Sequence, residues 1–174
     1  KHNTLKITEM FYSLQGETSL AGLPTAFIRL TGCPLRCTYC DTSYAFKGGT
    51  NMSFAAILDT VADFNPLAIT VTGGEPLMAK DTFQVLKHIQ KSDDPNTNLL
   101  LGINSNLGVP DKLIDRFIAD TRIILDEKRV RKIELYTSAE AWDKRNDYIR
   151  YGMNYNNWIN NLEKVIKALP EVPI

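Results

Sequence analysis

Short runs of apolar residues alternate along the chain with longer stretches in which apolar residues recur every three or four positions. The short runs are typical of buried strands, and the longer stretches are typical of amphipathic helices. Strands are predicted over five ranges, namely 5–14, 26–30, 68–72, 98–103 and 132–136. The alternation predicts repeated βα units and a mainly parallel sheet, in which the first range is either a strand or half of a hairpin.

The predicted helices begin at residues that stabilise a first helical turn. Ser53 is predicted to cap the first helix, because a serine hydroxyl accepts a hydrogen bond from a backbone N–H that this turn leaves free. Further helices are predicted to begin near Asp81 and at Asp111. A last helix is predicted to carry Trp158 and Val165 on one apolar stripe.

The predicted fold class is α/β, a partial (β/α) barrel with a mainly parallel sheet and helices outside it. A closed barrel of eight units needs about 250 residues, so a barrel in this chain is expected to be incomplete. We find no linker or internal repeat and expect one domain over residues 1–174. Residues 172–174 are predicted to begin a further strand.

Charge and hydropathy indicate which kinds of molecule the protein is expected to bind. Lysine plus arginine and aspartate plus glutamate each number 20, so the net charge is zero and gives no long-range attraction to nucleic acid or to an anionic membrane. The chain has no apolar run of the roughly 18 residues that a transmembrane helix needs. Residues 1–10 have no signal-peptide core. We therefore expect a cytoplasmic protein that acts on a small molecule, with neither nucleic acid nor membrane as partner.

The three cysteines of the chain lie within eight residues of one another, as Cys33, Cys37 and Cys40. An odd, clustered set is atypical of a disulfide framework and predicts a metal site on a loop after a strand. Thiolates at this spacing can hold an iron–sulfur cluster, and a 4Fe–4S cluster would keep one iron open. The alternative is a zinc-stabilised binding module with three cysteines and one histidine, for which His2 and His88 are available.

Two further segments follow predicted strands directly. Gly73, Gly74 and Glu75 come after the strand at 68–72, and Ser105 comes after the strand at 98–103. Active sites of α/β folds lie at the carboxyl ends of parallel strands, so these residues are expected near the cysteines. Glycines allow a ligand close to the backbone, and a carboxylate can accept hydrogen bonds from an amine. The alternatives are a tight strand-to-helix turn for the glycines and a turn serine for Ser105.

The pattern C-x3-C-x2-C after a first strand, together with a later strand that ends in GGEP, resembles the radical S-adenosylmethionine (SAM) superfamily. The resemblance implies that the three cysteines hold a 4Fe–4S cluster and that SAM chelates its open iron. It also implies that an electron from the cluster cleaves SAM to a 5′-deoxyadenosyl radical, so that no side chain is catalytic. The residues implied to bind SAM are Tyr39, Gly73, Gly74, Glu75 and Ser105.

The segments FYSLQGE, GLP, FIRL and CDT, all within residues 11–42, resemble the 7-carboxy-7-deazaguanine synthase family. This second resemblance implies conversion of 6-carboxy-5,6,7,8-tetrahydropterin to 7-carboxy-7-deazaguanine, a precursor of queuosine, with ring contraction and loss of ammonia. It also implies a homodimer, a Mg²⁺ ion, and a flavodoxin or ferredoxin as electron donor.

The residue types suit such a substrate. The implied substrate residues are Gln15, Gly16, Glu17 and Arg29, of which Arg29 is expected to pair with the substrate carboxylate. Thr42 offers a hard oxygen to Mg²⁺. The alternatives are that Arg29 is an ordinary charge at a strand edge and that Thr42 caps a helix.

The motifs of the synthase cover residues 5–78, whereas residues 96–174 look more like a radical SAM protein that contains a twitch domain. The chain is therefore expected to be a divergent member, a chimera or a fragment. An alternative function stays open on this ground, a radical SAM enzyme that acts on a peptide or protein, such as a glycyl-radical activase.

Overall fold

The computed structural model describes residues 4–16 and 18–174. Within them, one sheet of six strands has the spatial order β3-β1-β2-β4-β5-β6. Strands β2, β4, β5 and β6 are parallel, and β1 runs antiparallel to both β2 and β3. The strands are β1 (Thr4–Leu14), β2 (Pro24–Leu30), β3 (Thr50–Ser53), β4 (Ala68–Thr72), β5 (Leu100–Asn104) and β6 (Lys132–Tyr136).

This arrangement confirms the predicted α/β class with a mainly parallel sheet. The sheet is open, because β3 and β6 form its two edges. The helices in the described residues are α1 (Phe54–Phe64), α2 (Lys80–Lys91), α3 (Asp111–Asp126), α4 (Lys144–Ile149) and α5 (Tyr155–Ala168). None of them is both long enough and apolar enough to cross a membrane.

The predicted cap of α1 is confirmed. The Ser53 hydroxyl accepts a hydrogen bond from the backbone N–H of Ala56 at 3.2 Å, and the helix ends at Asn65 in the left-handed conformation. The predicted helix starts near Asp81 and at Asp111 agree with α2 and α3. Helix α5 buries Trp158 and Val165 as expected.

One strand and one α-helix of the described residues were not predicted. Strand β3 has the sequence TNMS, which lacks apolar alternation, and it forms because its backbone pairs with residues 4–7 of β1. Helix α4 is shorter than two turns and mostly polar. The pairing that forms β3 joins distant parts of the chain, and α4 is short and mostly polar, so a local apolar pattern gives little indication of either.

The prediction of a strand at residues 172–174 is wrong. The carbonyl of Pro173 accepts a hydrogen bond from the backbone N–H of Leu135 in β6 at 3.0 Å, but no strand forms there. A proline has no N–H to donate in return, so it cannot continue a ladder of paired hydrogen bonds.

A single group of buried apolar residues packs the helices against the sheet, from Leu5 in β1 to Val165 in α5. The parallel strands all present their carboxyl ends at one edge of the sheet. The segments that follow β2, β4, β5 and β6 therefore meet there, and they include the cysteine loop and the glycine turn.

Candidate functional site

A cavity of about 480 Å³ opens at the carboxyl edge of the parallel strands. The residues around it come from β1, from β2 and the loop after it, and from the segments that follow β4, β5 and β6. Of the residues singled out from the sequence, those that line it are Gln15, Gly16, Arg29, Cys33, Cys37, Tyr39, Cys40, Thr42, Gly73, Gly74 and Ser105. Glu17 lies outside the described residues.

A larger cavity, of about 580 Å³, lies at the opposite edge of the sheet, near Leu67 and Leu99 at the amino ends of β4 and β5. It is lined by none of the residues singled out from the sequence except His88. That histidine stacks on the ring of Phe54 at 4.7 Å and shares no cavity with the cysteines. Ligands of open α/β sheets bind at the carboxyl ends of the strands, so we take the smaller cavity as the functional site.

The three cysteines lie on the loop between β2 and a short 3₁₀ helix at Ser43–Phe46, and all three are free thiols. Burial raises the pKa of the Cys33 thiol, and negative charges on Glu75, Cys37 and Cys40 raise it further. Burial also raises the pKa of the Cys37 thiol. Three thiolates in this loop therefore need positive charge close by, which a metal centre supplies.

No three His, Cys, Asp or Glu side chains in the described part of the chain lie close enough together to hold one metal ion. A single zinc requires all of its ligands to meet at one point, with sulfur ligands about 2.3 Å from the ion. A 4Fe–4S cluster needs a wider arrangement, because each thiolate binds a different iron. Three free thiols line the cavity and His88 does not, so the cavity offers the donor set of a 4Fe–4S cluster.

The glycine turn after β4 packs directly against the start of the cysteine loop. Gly73 and Gly74 have φ angles of +86° and +57°, which favour glycine. A Cβ atom at position 74 would lie 1.6 Å from the carbonyl oxygen of Gly32, and one at position 73 would lie 2.3 Å from Cγ of Arg29. The two glycines thus permit a close approach that no larger residue allows.

Glu75 is 1% exposed, and its carboxylate joins the turn after β4 to the turn after β5. Its Oε1 accepts hydrogen bonds from the N–H of Leu77 at 3.0 Å and from the hydroxyl of Ser105 at 2.5 Å. Its Oε2 accepts one from the N–H of Asn106 at 2.7 Å. Burial raises the pKa of Glu75 to about 7. The three hydrogen bonds lower this pKa, but their effect is smaller than that of burial. The carboxylate and the Ser105 hydroxyl therefore serve first to fix the two turns.

Arg29 lies on β2 directly opposite Glu9 on β1. Its Nε donates to Oε1 of Glu9 at 2.6 Å, and its guanidinium lies 5.6 Å from the centre of the Phe11 ring. The hydroxyl of Tyr44 also donates to Oε1 of Glu9, at 2.7 Å. Arg29 is only 18% exposed and lies on an interior strand, so it is not a charge at an outer edge of the sheet.

Gln15 is buried, and its amide bonds within the chain. Its Nε2 donates to the hydroxyl of Thr70 at 3.3 Å, and its Oε1 accepts from the N–H of Gly16 at 3.0 Å. Thr42 donates its hydroxyl to Oδ1 of Asp41 at 3.1 Å. Thr42 is also the N-cap residue of the 3₁₀ helix at Ser43–Phe46, as the alternative expected, but its side chain makes no capping hydrogen bond there.

The sequence analysis missed the segment after β6, which contributes Ser138 and Arg150 to the cavity. Arg150 donates to the hydroxyl of Ser138 at 2.7 Å and to Oε1 of Glu140 at 2.5 Å. The hydroxyl of Tyr39 donates to the same oxygen of Glu140 at 3.2 Å. The contact of Tyr39 with Glu140 joins residues 101 positions apart, and no spacing in the sequence indicates it.

Comparison with known proteins shows the family to which the chain belongs. Residues 27–173 match the radical SAM superfamily. The 7-carboxy-7-deazaguanine synthase of Methanospirillum hungatei is 33% identical over 168 residues, which cover 95% of this chain and 68% of that protein. The synthase of Thermoplasma acidophilum is 36% identical over 120 residues, 69% of this chain and 54% of that protein. The similarity to the synthases therefore continues beyond residue 78.

A third synthase, from Chlorobaculum tepidum, is 51% identical over 82 residues, which cover 47% of this chain and 37% of that protein. The matched regions thus span about a third to two thirds of the length of these relatives. Among solved structures, the crystal structure of QueE from Escherichia coli has a TM-score of 0.49 and 19% identity, and the match covers 95% of this chain and 91% of that one.

Proposed function

Because the chain belongs to the radical SAM superfamily and to its 7-carboxy-7-deazaguanine synthase family, we propose that it is a radical SAM carbon–nitrogen lyase. Its proposed reaction converts 6-carboxy-5,6,7,8-tetrahydropterin to 7-carboxy-7-deazaguanine, with ring contraction and loss of ammonia. The cavity at the carboxyl edge carries this proposal, because it brings together the cysteine loop, the glycine turn and Arg29. The reported relatives are all synthases, so neither a peptide-modifying enzyme nor a metal-stabilised binding module is favoured.

Membership of the superfamily implies a 4Fe–4S cluster and SAM, and we assign the cluster to Cys33, Cys37 and Cys40. When bound, these two groups supply a 5′-deoxyadenosyl radical, so no side chain is assigned as the catalytic residue. The chain itself positions its ligands. The glycine turn exposes backbone to the cavity, and Tyr39 lines the same cavity where an adenine ring can pack.

Glu75 and Ser105 retain hydrogen-bonding capacity for SAM in this proposal. Oε2 of Glu75 accepts one hydrogen bond, from Asn106, and a carboxylate oxygen has two lone pairs. In this proposal a ligand amine shares Oε2, although Glu75 is 1% exposed and is not among the residues that line the cavity. Ser105 donates its hydroxyl to Glu75 and acts mainly by orienting that carboxylate.

Arg29 is the proposed partner of the substrate carboxylate. A guanidinium has five N–H donors, and the contact of Nε with Glu9 uses one of them. That contact and the neighbouring rings of Phe11 and Tyr44 hold the guanidinium at the wall of the cavity. Such a fixed fork suits bidentate recognition of a carboxylate.

Gln15 and Gly16 are the proposed partners of the pterin edge, with Glu17 beside them in the sequence. The amide of Gln15 uses one of its two N–H donors on Thr70 and one of its two acceptor sites on Gly16. One donor and one acceptor remain, which matches the mixed edge of a pterin ring.

Mg²⁺ is assigned to Thr42 in this proposal. The hydroxyl of Thr42 and Oδ1 of Asp41 lie 3.1 Å apart at the cavity, and both are hard oxygen donors of the kind that Mg²⁺ prefers. A homodimer, a cytoplasmic location and a flavodoxin or ferredoxin as electron donor are further parts of the proposal. The shared sheet and core of the described elements support a single radical SAM core domain.

The proposal is tested with anaerobically reconstituted protein, SAM, dithionite, Mg²⁺ and 6-carboxy-5,6,7,8-tetrahydropterin. Mass spectrometry follows 7-carboxy-7-deazaguanine and 5′-deoxyadenosine, and a variant with all three cysteines changed to alanine is the control. We expect the deazapurine product from the native chain alone. Formation of 5′-deoxyadenosine without that product would overturn the substrate and keep the radical SAM assignment.

A further inference from the structure

One cation from the C-terminal half of the chain lies at the cavity that the three cysteines line. Arg150 follows α4 directly, and its side chain is only 12% exposed. A buried guanidinium is costly unless negative charge or hydrogen-bond acceptors surround it, so its presence beside the cysteine loop requires an explanation.

The backbone on either side of Arg150 is fixed to the cysteine loop. The N–H of Arg36 donates to the carbonyl of Tyr151 at 3.0 Å. A Cβ atom at Gly152 would lie 3.2 Å from Cδ2 of Leu35, so the two segments are in close contact. Arg150 is therefore held in a defined position relative to Cys33 and Cys37.

The hydrogen-bond partners of the Arg150 guanidinium occupy only some of its N–H donors. One terminal nitrogen donates to Ser138 and to Glu140, and Glu140 also accepts the hydroxyl of Tyr39, which lies between Cys37 and Cys40. The Nε atom of Arg150 is buried and has no hydrogen-bond partner among the described residues. Glu140 is 38% exposed, so water screens its charge more than that of Arg150.

The positive charge of Arg150 lies at the cavity of the cysteines. Arg150 and all three cysteines line that cavity, and Glu140 accepts hydrogen bonds both from Arg150 and from Tyr39 of the cysteine loop. Reduction adds one electron to a cluster whose thiolate ligands are already negative. A fixed cation nearby therefore favours the reduced form, and net charge near a cluster is one of the factors that set its potential.

We propose that Arg150 is a positioning residue that raises the reduction potential of the cluster on Cys33, Cys37 and Cys40, and that Glu140 limits this effect. The inference rests on the proposed cluster but not on the proposed substrate. It predicts that substitutions of Arg150 and of Glu140 shift the reduction potential in opposite directions. Loss of the Arg150 charge disfavours reduction, whereas loss of the Glu140 charge favours it.

The test uses the full chain, reconstituted with iron and sulfide, and a redox titration followed by electron paramagnetic resonance. In Arg150→Gln we expect about a tenfold shift of the one-electron equilibrium towards the oxidised cluster, a midpoint about 59 mV more negative. Arg150→Lys is expected to stay nearer the native value. Glu140→Gln is expected to shift the midpoint to more positive values. Arg145→Gln is the matched control, because Arg145 on α4 is exposed and its charge is screened.

Each outcome of the titration either supports the inference or overturns it. A midpoint of Arg150→Gln equal to that of Arg145→Gln would overturn the inference, and so would shifts of the same sign for Arg150→Gln and Glu140→Gln. If Arg150→Gln fails to retain iron, Glu140→Gln decides alone, and an unchanged or more negative midpoint rejects the inference. A native chain that takes up no iron and sulfide would instead overturn the cluster assignment itself.

Discussion

Gly74 lies so close to the carbonyl oxygen of Gly32 that a side-chain carbon at position 74 would be 1.6 Å from that oxygen. The backbone N–H of Glu75 donates to the same carbonyl at 3.4 Å. The glycine turn after β4 thereby packs against Gly32, the residue that precedes Cys33. The position of the first cysteine thus depends on an absent side chain more than forty positions later in the sequence.

The first prediction follows from this contact. Gly74→Ala introduces both a positive φ that disfavours alanine and a clash with backbone, whereas Gly48→Ala, also at positive φ, meets nothing within 4 Å. We expect Gly48→Ala to lower the free energy of unfolding by about 1 kcal/mol. Gly74→Ala is expected to lower it by about 3 kcal/mol or more and to reduce iron uptake. Denaturant melts and iron analysis make the comparison, and equal losses in the two variants would contradict it.

The second prediction concerns pH. The pKa of Glu75 is raised by burial to about 7 from its usual 4.5, so the native state binds this proton more tightly than the unfolded state does. The stabilisation from this group is complete below pH 4.5 and is lost as the pH rises through about 7. Over that window we expect a loss of about 3 kcal/mol in the free energy of unfolding.

Glu75→Gln provides the comparison for that titration. Glutamine has no proton to lose, so the slope of stability between pH 5 and pH 8 is expected to flatten, whatever the absolute stability of the variant. Urea melts of the metal-free chain at several pH values measure both slopes. Parallel slopes for the native chain and the variant would show that another group is responsible.

The third prediction tests the proposed role of Arg29. Arg29→Lys keeps the charge but loses the fork that pairs with a carboxylate, and hydrogen bonds to charged groups contribute about 1.5–3 kcal/mol. We expect KM for the pterin to rise about 10- to 100-fold, because each 1.4 kcal/mol is a factor of ten. Cluster content is expected to stay native. Arg116→Lys on α3, which pairs with Asp120 on the same helix, is the matched control. An unchanged KM in Arg29→Lys would remove Arg29 from the substrate site.

The fourth prediction concerns Mg²⁺. Thr42→Val keeps the shape of the side chain without its oxygen, and Thr42→Ser keeps the oxygen. We expect the Mg²⁺ concentration for half-maximal activity to rise about tenfold in the valine variant and little in the serine variant, because Mg²⁺ requires oxygen ligands. Activity measured across a Mg²⁺ series after treatment with a chelator checks this. Superimposable curves for the two variants would exclude Thr42 as a ligand.

Local features of the sequence were sufficient to predict many of the strands and helices. Apolar periodicity and the Ser53 cap predicted α1, and the run at 68–72 predicted β4 with its residues unchanged, because these elements depend on neighbouring residues. The grouping of the cysteine loop with the glycine turn was predictable for a related reason. Parallel strands bring their carboxyl ends to one edge, so the residues after β2 and β4 must meet.

Side-chain partners were decided only by the tertiary structure. The pairing of Glu9 with Arg29 depends on the register of an antiparallel pair of strands, and a shift of one residue would send the side chains to opposite faces. Glu75 seemed from the sequence to be free for a ligand, yet the turn after β5 supplies two of its donors. Hydrogen bonds of this kind have short reach and join residues that no repeat spacing relates.

The segment after β6 shows most clearly that side-chain partners cannot be read from the sequence. Arg150 and Glu140 reach the cysteine loop only because the chain returns to it after six strands and three long helices have packed. The sequence by itself therefore indicated the cysteine loop and the glycine turn, since the cysteine spacing and the paired glycines are local features. The tertiary structure alone decided which charges surround them, because charge and hydrogen bonding depend on distance in space and not on distance along the chain.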